Sequence, residues 1–362
     1  MHADFVSRTF RFRFNARTSR GPMPDKTSWF IRLWDGNHPH VVGIGECGPL
    51  PGLSPEKVDE IPDLLNNLVE RINRVPSPSY EDVLALVPGN APAVRFAVET
   101  AFLDFMNGGK RVLYENSFLS GAPIPINGLV WMGDADFMER QVRDKVAQGF
   151  TCIKLKVGAL DFDRECALLG WMRSEFAERI SIRLDANGAF TAENAMSKLT
   201  RLAQYNIHSI EQPVKPRESA MPELCAHSPI PIALDEELIG VDAREQRIEL
   251  LERLKPQYII LKPTLHGGLS GSREWISIAE SLGIGWWITS ALESGVGLNA
   301  VSQFAASFDV TMPQGLGTGM IYENNFESPL RVANGVLRYD NTLPWQLDDL
   351  LHAPRGSRGT VC

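Results

Sequence analysis

Two lysines spaced by one residue close an apolar, β-branched run, Phe150-Thr151-Cys152-Ile153-Lys154-Leu155-Lys156. On a strand, residues two apart share a face, so Lys154 and Lys156 point into the same space. Two ammonium groups side by side lower each other's proton affinity unless anions lie nearby. Anions follow farther along: Asp185, Glu211 and Asp235 each end a short apolar run, as does a further lysine, Lys262. Three carboxylates without cysteine or paired histidines form a hard oxygen set that suits magnesium better than zinc. A cation there would stabilise the charge that develops when a proton leaves the carbon next to a carboxylate. Lys156 is the candidate base, with opposing influences on its proton left open. Lys262 would act on the other face of a substrate. Opposed lysines permit racemisation, acid-assisted elimination or stabilisation of a planar intermediate.

These residues need elements that bring them together. Counted from Lys156, the runs Ser181 to Asp185, Ile207 to Glu211, Ile230 to Asp235, Tyr258 to Lys262 and Trp286 to Ser290 end at steps of about 24 to 29 residues. A strand of about 5 residues, a helix of about 11 and two short loops fill that interval. Between the runs, Asp161 to Arg179 carries apolar residues at helical spacing, and Thr191 to Tyr205 begins at a hydroxyl that can cap a helix. Repeated βα units imply a parallel sheet that closes into a barrel, with the C-terminal strand ends converging on one mouth. Counting from a strand at Ile124 to Trp131, through the lysine strand, to a last one at Asp309 to Met312 predicts eight strands. A glycine-rich turn, Gly315 to Gly319, follows.

Upstream, Phe10, Phe12 and Phe14 alternate with Arg11 and Arg13, the pattern of a half-buried strand. Ser28 to Trp34 and His40 to Glu46 continue it as an antiparallel meander. Ala16 to Lys26, polar and without periodicity, is a connection or a lid. Ser54-Pro55-Glu56 reads as a helix start, with Ser54 the cap, for a helix reaching about Asn73. Helices at Tyr80 to Leu86 and Ala91 to Met106 complete an α+β module. The expected division is residues 1–120 for that module, 121–319 for the barrel, and 320–362 for a tail packing back on the module. His208 and His266 read as packing or loop residues, Trp286 and Trp287 as core or helix packing, and Cys152 as a small buried apolar side chain.

The whole chain narrows the class. With 36 Lys and Arg against 44 Asp and Glu, the formal charge is −8 and no long basic run exists. That argues against nucleic acid and anionic membrane as main partners; the partner expected from the proton chemistry above is a small-molecule carboxylate. Five cysteines, an odd number without paired spacing, give no disulfide framework. Charged Asp4, Arg8 and Arg11 interrupt any leader-like apolar run, and no segment approaches a membrane span. A cytoplasmic setting is the expectation.

Taken together, these motifs resemble the enolase superfamily, in its muconate-lactonizing-enzyme-like subgroup, over nearly the full chain. Lys154-Leu155-Lys156 is similar to its Lys-x-Lys, with Lys156 in the place of the base. Asp185 in Leu184-Asp185-Ala186-Asn187, Glu211 in Glu211-Gln212-Pro213 and Asp235 in Leu234-Asp235-Glu236 match its metal ligands. Lys262 in Leu261-Lys262-Pro263-Thr264 matches the second lysine. The resemblance implies an α/β fold, a modified TIM barrel (β/α)7β with an N-terminal α+β capping domain completed by the C-terminal tail. It also implies Mg2+, or Mn2+ in its place. Segments Cys47 to Ser54, Lys262 to Leu265 and Thr289 to Ser294 resemble dehydratases of menaquinone biosynthesis, which eliminate water from 2-succinyl-6-hydroxy-2,4-cyclohexadiene-1-carboxylate in syn fashion. By that likeness Lys156 takes the proton and assists loss of hydroxide, while Lys262 stays cationic. Asn187 and Glu236 orient a ligand or a lysine beside Lys154. Thr289, Ser290, Gly315 and Gly317 help hold the succinyl arm under the Ala16 to Lys26 loop. The rivals on this scaffold are N-succinylamino acid racemases, which carry Lys-Pro-Gly where this chain has Lys262-Pro263-Thr264, and dipeptide epimerases, which carry Asp-x-Asp where it has Gly317-Thr318-Gly319. A catalytically silent metal-binding barrel would need a partner surface, and the sequence shows none.

Overall fold

A computed structural model describes every residue except 15, 19, 20 and 354–362. Strands β1 (His2–Arg11), β4 (Asp25–Trp34) and β5 (Gly43–Cys47) form the expected antiparallel meander, with Phe5 opposite Ile31 and Phe30 opposite Glu46. Between β1 and β4, the Ala16 to Lys26 segment carries a two-residue ladder of β2 (Arg17–Thr18) on β3 (Gly21–Pro22). Its residues 19 and 20 lie outside the described set. Helices α1 (Ile61–Arg74), α2 (Tyr80–Ala85) and α3 (Pro92–Met106) cover the sheet. α3 approaches so closely that a Cβ on Gly45 would stand 1.9 Å from the Ala97 carbonyl oxygen, which is why a glycine is required there.

The helix expected at Ser54 starts later. Ser54 Oγ accepts from Leu50 N at 2.8 Å in a turn, a short 3-10 segment spans Val58–Glu60, and α1 begins only at Ile61. Glu56 serves a different helix: its carboxylate accepts from Ala93 N at 2.6 Å, at the start of α3, where Ala91 has no side chain to satisfy the first amides.

Next comes a chain of βα units: β6 (Ile124–Pro125), β7 (Gly128–Val130), α4 (Ala135–Ala147), β8 (Cys152–Lys156), α5 (Phe162–Phe176), β9 (Ser181–Asp185), α6 (Ala195–Leu202) and β10 (Ser209–Glu211). It continues with α7 (Met221–His227), β11 (Ile232–Leu234), α8 (Arg244–Leu254), β12 (Tyr258–Leu261), α9 (Gly268–Ser281), β13 (Gly285–Ile288) and α10 (Gly295–Ala305). Strands β7 to β13 form one curled, seven-stranded parallel sheet in sequence order. Ile153, Leu155, Ile182, Leu184, Ile210, Ile232, Leu234, Ile259 and Ile288 join the main core. Their alternates along the strands, among them Lys154, Lys156, Asp185 and Glu211, are thereby left to the barrel interior.

Three sequence expectations need correction. Asp309 to Met312 forms no strand among the described residues; the eighth position is taken by Gln314 and Gly315, which make single bridges to Ile126 and Thr289. The Gln314 side chain supplies part of that ladder, with Oε1 accepting from Ile288 N at 2.7 Å. The run from Ile124 to Trp131 splits: β6 pairs with the C-terminal hairpin, and only β7 enters the barrel. Thr191 caps no helix, since α6 begins at Ala195 and Asn194 Oδ1 accepts from Thr191 N at 3.0 Å.

The tail forms the hairpin β14 (Leu330–Ala333) and β15 (Val336–Tyr339) and a short helix α11 (Asp348–Leu351). It returns to the first module: Glu323 N donates to Arg11 O at 2.8 Å, and Arg32 Nη1 donates to Leu350 O at 2.7 Å. No helix among the described residues is long and apolar enough to cross a membrane. Cys47, Cys152, Cys166 and Cys225 are free and buried; Cys362 lies outside the described residues.

Candidate active site

Strand register sets the site. Lys156 on β8 lies opposite Asp185 on β9, and Asp185 lies opposite Glu211 on β10. Asp235 and Lys262 follow the last residues of β11 and β12. Lys154 Nζ bridges two carboxylates, 2.5 Å from Glu211 Oε2 and 3.2 Å from Asp185 Oδ2. Lys156 Nζ donates to Asp185 Oδ2 at 3.1 Å and to Asn187 Oδ1. Lys262 Nζ donates to Asp235 Oδ2 and stands 4.0 Å from Glu211 Oε1. Asn187, in the left-handed region at φ 44°, where asparagine is better tolerated than most residues, receives Lys156 on its oxygen and donates from Nδ2 to Glu236 Oε1 at 2.9 Å.

Burial and neighbours divide the charges. Burial raises Asp185, but Lys154, Lys156 and Lys262 outweigh it and hold that carboxyl well below its usual range. Burial, followed by the Asp185 charge, pushes Glu211 up to about 8, and burial raises Asp235. Burial opposes the charge on Lys154 and Lys262, yet Asp185 and Glu211 keep the first protonated, and Asp235 and Glu211 the second.

Among the described residues no group of three or more His, Cys, Asp or Glu side chains is gathered as a ready metal site, because the lysines stand between the carboxylates. The donor set nevertheless fits a hard cation. Glu211 Oε1 and Asp235 Oδ1 are buried without a hydrogen bond of ordinary geometry, and burial holds both carboxyls in the protonated direction, which a bound cation would offset.

The mouth opens into a cavity of about 620 Å3. Lys154, Lys156, Asp185, Asn187, Glu236 and Lys262 line its floor, and Thr289, Ser290, Gly315 and Gly317 one wall. Thr289 Oγ1 donates to Gly315 O at 3.0 Å, and Ser290 Oγ bonds Thr318 Oγ1 at 2.6 Å. Phe14, Leu50, Leu53, Trp131 and Met320 give it an apolar rim. A groove of about 680 Å3 near Leu251, Lys255 and Ile284, at the opposite strand ends, gathers no comparable set of charges.

Sequence reading missed several supports. Thr264 Oγ1 donates to Glu293 Oε1, whose other oxygen accepts from Ala291 N at 2.8 Å. Glu99 on α3 accepts from Leu269 N and from Ser270 N and Oγ at the start of α9, and burial pushes it up to about 7. His266, expected as a packing or loop residue, is buried in the turn after β12 and accepts from Lys262 N through Nδ1 at 2.9 Å. Only the proximity of Glu293 and His266 to the motif residues could have flagged them. Trp287 and Cys152 are core, and His208 stacks on Tyr258.

Residues 137–343 match the enolase C-terminal domain-like family. The chain is 45% identical over 356 residues to the o-succinylbenzoate synthase of Desulfotalea psychrophila, covering 90% of this chain and 95% of that protein. The crystal structure of MenC from the same organism superposes with a TM-score of 0.84 at 41% identity, covering 93% of this chain and 99% of that one. The L-Ala-D/L-Glu epimerase from Bacillus subtilis shares the fold, with a TM-score of 0.82 at 21% identity and 96% of each chain covered.

Proposed function

We propose that this chain, which belongs to the enolase C-terminal domain-like family, has the activity of an o-succinylbenzoate synthase: it removes water from 2-succinyl-6-hydroxy-2,4-cyclohexadiene-1-carboxylate and releases 2-succinylbenzoate. Kinship with the Desulfotalea psychrophila synthase along nearly its whole length supports the substrate. The observation that carries the chemistry is the surroundings of Lys156, whose Nζ meets two acceptors, Asp185 Oδ2 and Asn187 Oδ1. With two of its tetrahedral positions taken by these acceptors, the nitrogen keeps a third for the cavity, where a lone pair, once the ammonium has given up its proton, can take one from substrate. Lys156 in that form takes the proton from the ring carbon beside the carboxylate. The ammonium so formed then gives a proton to the departing hydroxyl on the same ring face, so one water leaves and the base is restored.

Lys262, kept cationic by Asp235 and Glu211 against burial, faces the planar intermediate from the other side. Asn187 and Glu236 orient Lys156, and Lys154 keeps Asp185 and Glu211 in place. Asp185, Glu211 and Asp235 would hold a magnesium ion, or manganese in its place, which supplies positive charge for the substrate carboxylate as its neighbouring proton leaves. Thr289, Ser290, Gly315 and Gly317 border the space for the succinyl arm, and the apolar rim excludes water. The product belongs to menaquinone biosynthesis, and a cytoplasmic location goes with it.

The test is to follow the ultraviolet loss of the cyclohexadiene substrate with magnesium and after chelation, with N-succinylamino acids in deuterated water run alongside. Metal-dependent conversion supports the reading. No conversion, with deuterium exchange into N-succinylamino acids instead, assigns the same residues to a racemase.

A further inference from the structure

We infer that His266 is a positioning residue whose imidazole Nε2–H donates to Asp235 Oδ1 and so orients the carboxylate that Lys262 meets with its ammonium group. The inference rests on the reading of Asp235 as a metal ligand. His266 lies in the turn Lys262-Pro263-Thr264-Leu265-His266-Gly267 between β12 and α9, and its side chain is 0% exposed. Lys262 N donates to its Nδ1 at 2.9 Å. A ring nitrogen that accepts carries no proton, so the hydrogen of the neutral ring sits on Nε2. Nε2 faces Asp235 Oδ1 across 4.0 Å; both atoms are buried and neither makes a hydrogen bond of ordinary geometry, with the Asp235 backbone carbonyl the other acceptor beside the ring and the Glu211 carboxyl the other neighbour of that carboxylate. Leaving both without a good hydrogen bond is costly, and an approach of about 1 Å would bring them to hydrogen-bond distance. Ligating carboxylates are commonly held in this way by a neighbouring donor.

The turn is built to keep the ring in place. Leu265 N and His266 N both donate to Lys262 O, at 2.7 and 2.9 Å, and Gly268 N donates to Pro263 O at 2.8 Å. A Cβ on Gly271 would stand 2.6 Å from His266 O, so α9 closes tightly over the turn. Glu99 then fixes the helix start from the first module through Leu269 N and Ser270 N. The same ring therefore ties Lys262, through its backbone, to Asp235, through its carboxylate.

Two variants separate donor from bulk. His266→Asn keeps an acceptor where Nδ1 stood and loses the reach of Nε2; His266→Gln places an amide N–H near the position of Nε2. Manganese affinity of the full chain, read by electron paramagnetic resonance without substrate, is expected to weaken about 10- to 100-fold in the Asn variant and to be largely recovered in the Gln variant. Equal affinity in wild type and His266→Asn overturns the inference; no binding by wild type itself overturns the metal reading on which it stands. Nitrogen-15 spectra of histidine-labelled wild type give a readout that needs no variant to fold. A protonated Nε2 and an accepting Nδ1 for His266 are expected, and the opposite tautomer or a doubly protonated ring overturns the inference.

Discussion

Replacing Glu46 with alanine should cut a buried tie between the first module and the barrel. Glu46, on β5, is fully buried and reaches the start of α10, the helix that follows Thr289 and Ser290. Its carboxylate accepts from Ser28 Oγ at 2.8 Å, Ser294 Oγ at 2.6 Å, Ser294 N at 3.0 Å and Gly297 N at 2.9 Å. It also stands 3.9 Å from the Lys26 ammonium, whose side chain is 1% exposed. Each buried donor left alone costs about 1–3 kcal/mol, and water entering the vacated space offsets part of that. The four donors and the stranded Lys26 charge then destabilise the fold by on the order of 4–8 kcal/mol. That is a large part of the roughly 5–15 kcal/mol that holds a domain folded. Glu46→Gln keeps one acceptor oxygen but turns an amide N–H toward the donors, so it should fall between the two. Equilibrium urea unfolding of the three proteins, with midpoints converted through a shared slope, gives the comparison. A loss below about 1 kcal/mol in Glu46→Ala would refute the reasoning.

Other outcomes follow from the same contacts. Burial holds the folded Glu99 carboxyl at about 7 against 4.5 when exposed, so the folded state binds more protons between these values and stability falls as pH rises through that window. In Glu99→Gln that decline, on the order of 3 kcal/mol, should vanish, and thermal unfolding at several pH values will contradict this if both proteins follow parallel profiles. Magnesium, binding the folded state alone, should add about 2.7 kcal/mol at one hundred times its Kd, visible as a rising Tm that Asp235→Asn abolishes; an unchanged Tm in wild type goes against the metal assignment. Lys262→Ala should lower kcat by about 10²- to 10³-fold with little change in KM, and steady-state rates within tenfold of wild type would deny it an electrostatic role.

Where the site lies was legible because it depends on local periods. Strand alternation points Lys154 and Lys156 one way while Ile153 and Leu155 face the core, and the even spacing of βα units brings Asp185, Glu211, Asp235 and Lys262 to the same end. Long-range competition was not legible. Ser54 and Glu56 carry a sound helix-start signal, but Leu50 N and the amides of α3 claim those side chains first. The eighth stave failed as a strand because a single glutamine side chain, Gln314, supplies hydrogen bonds that a backbone ladder would have made. Glu46 and Glu99 look in the sequence like ordinary acidic residues. Their importance comes from amides more than 170 residues away, as the bonds to Ser294 and Ser270 illustrate.

Lys156 is the group that takes the substrate proton in the proposed reaction. The most direct test of that role is kcat for Lys156→Ala with the cyclohexadiene substrate, in a variant whose unfolding midpoint and manganese affinity match wild type. A loss of at least about 10²- to 10⁴-fold is the predicted result. Turnover within tenfold of wild type would mean that another group takes the proton.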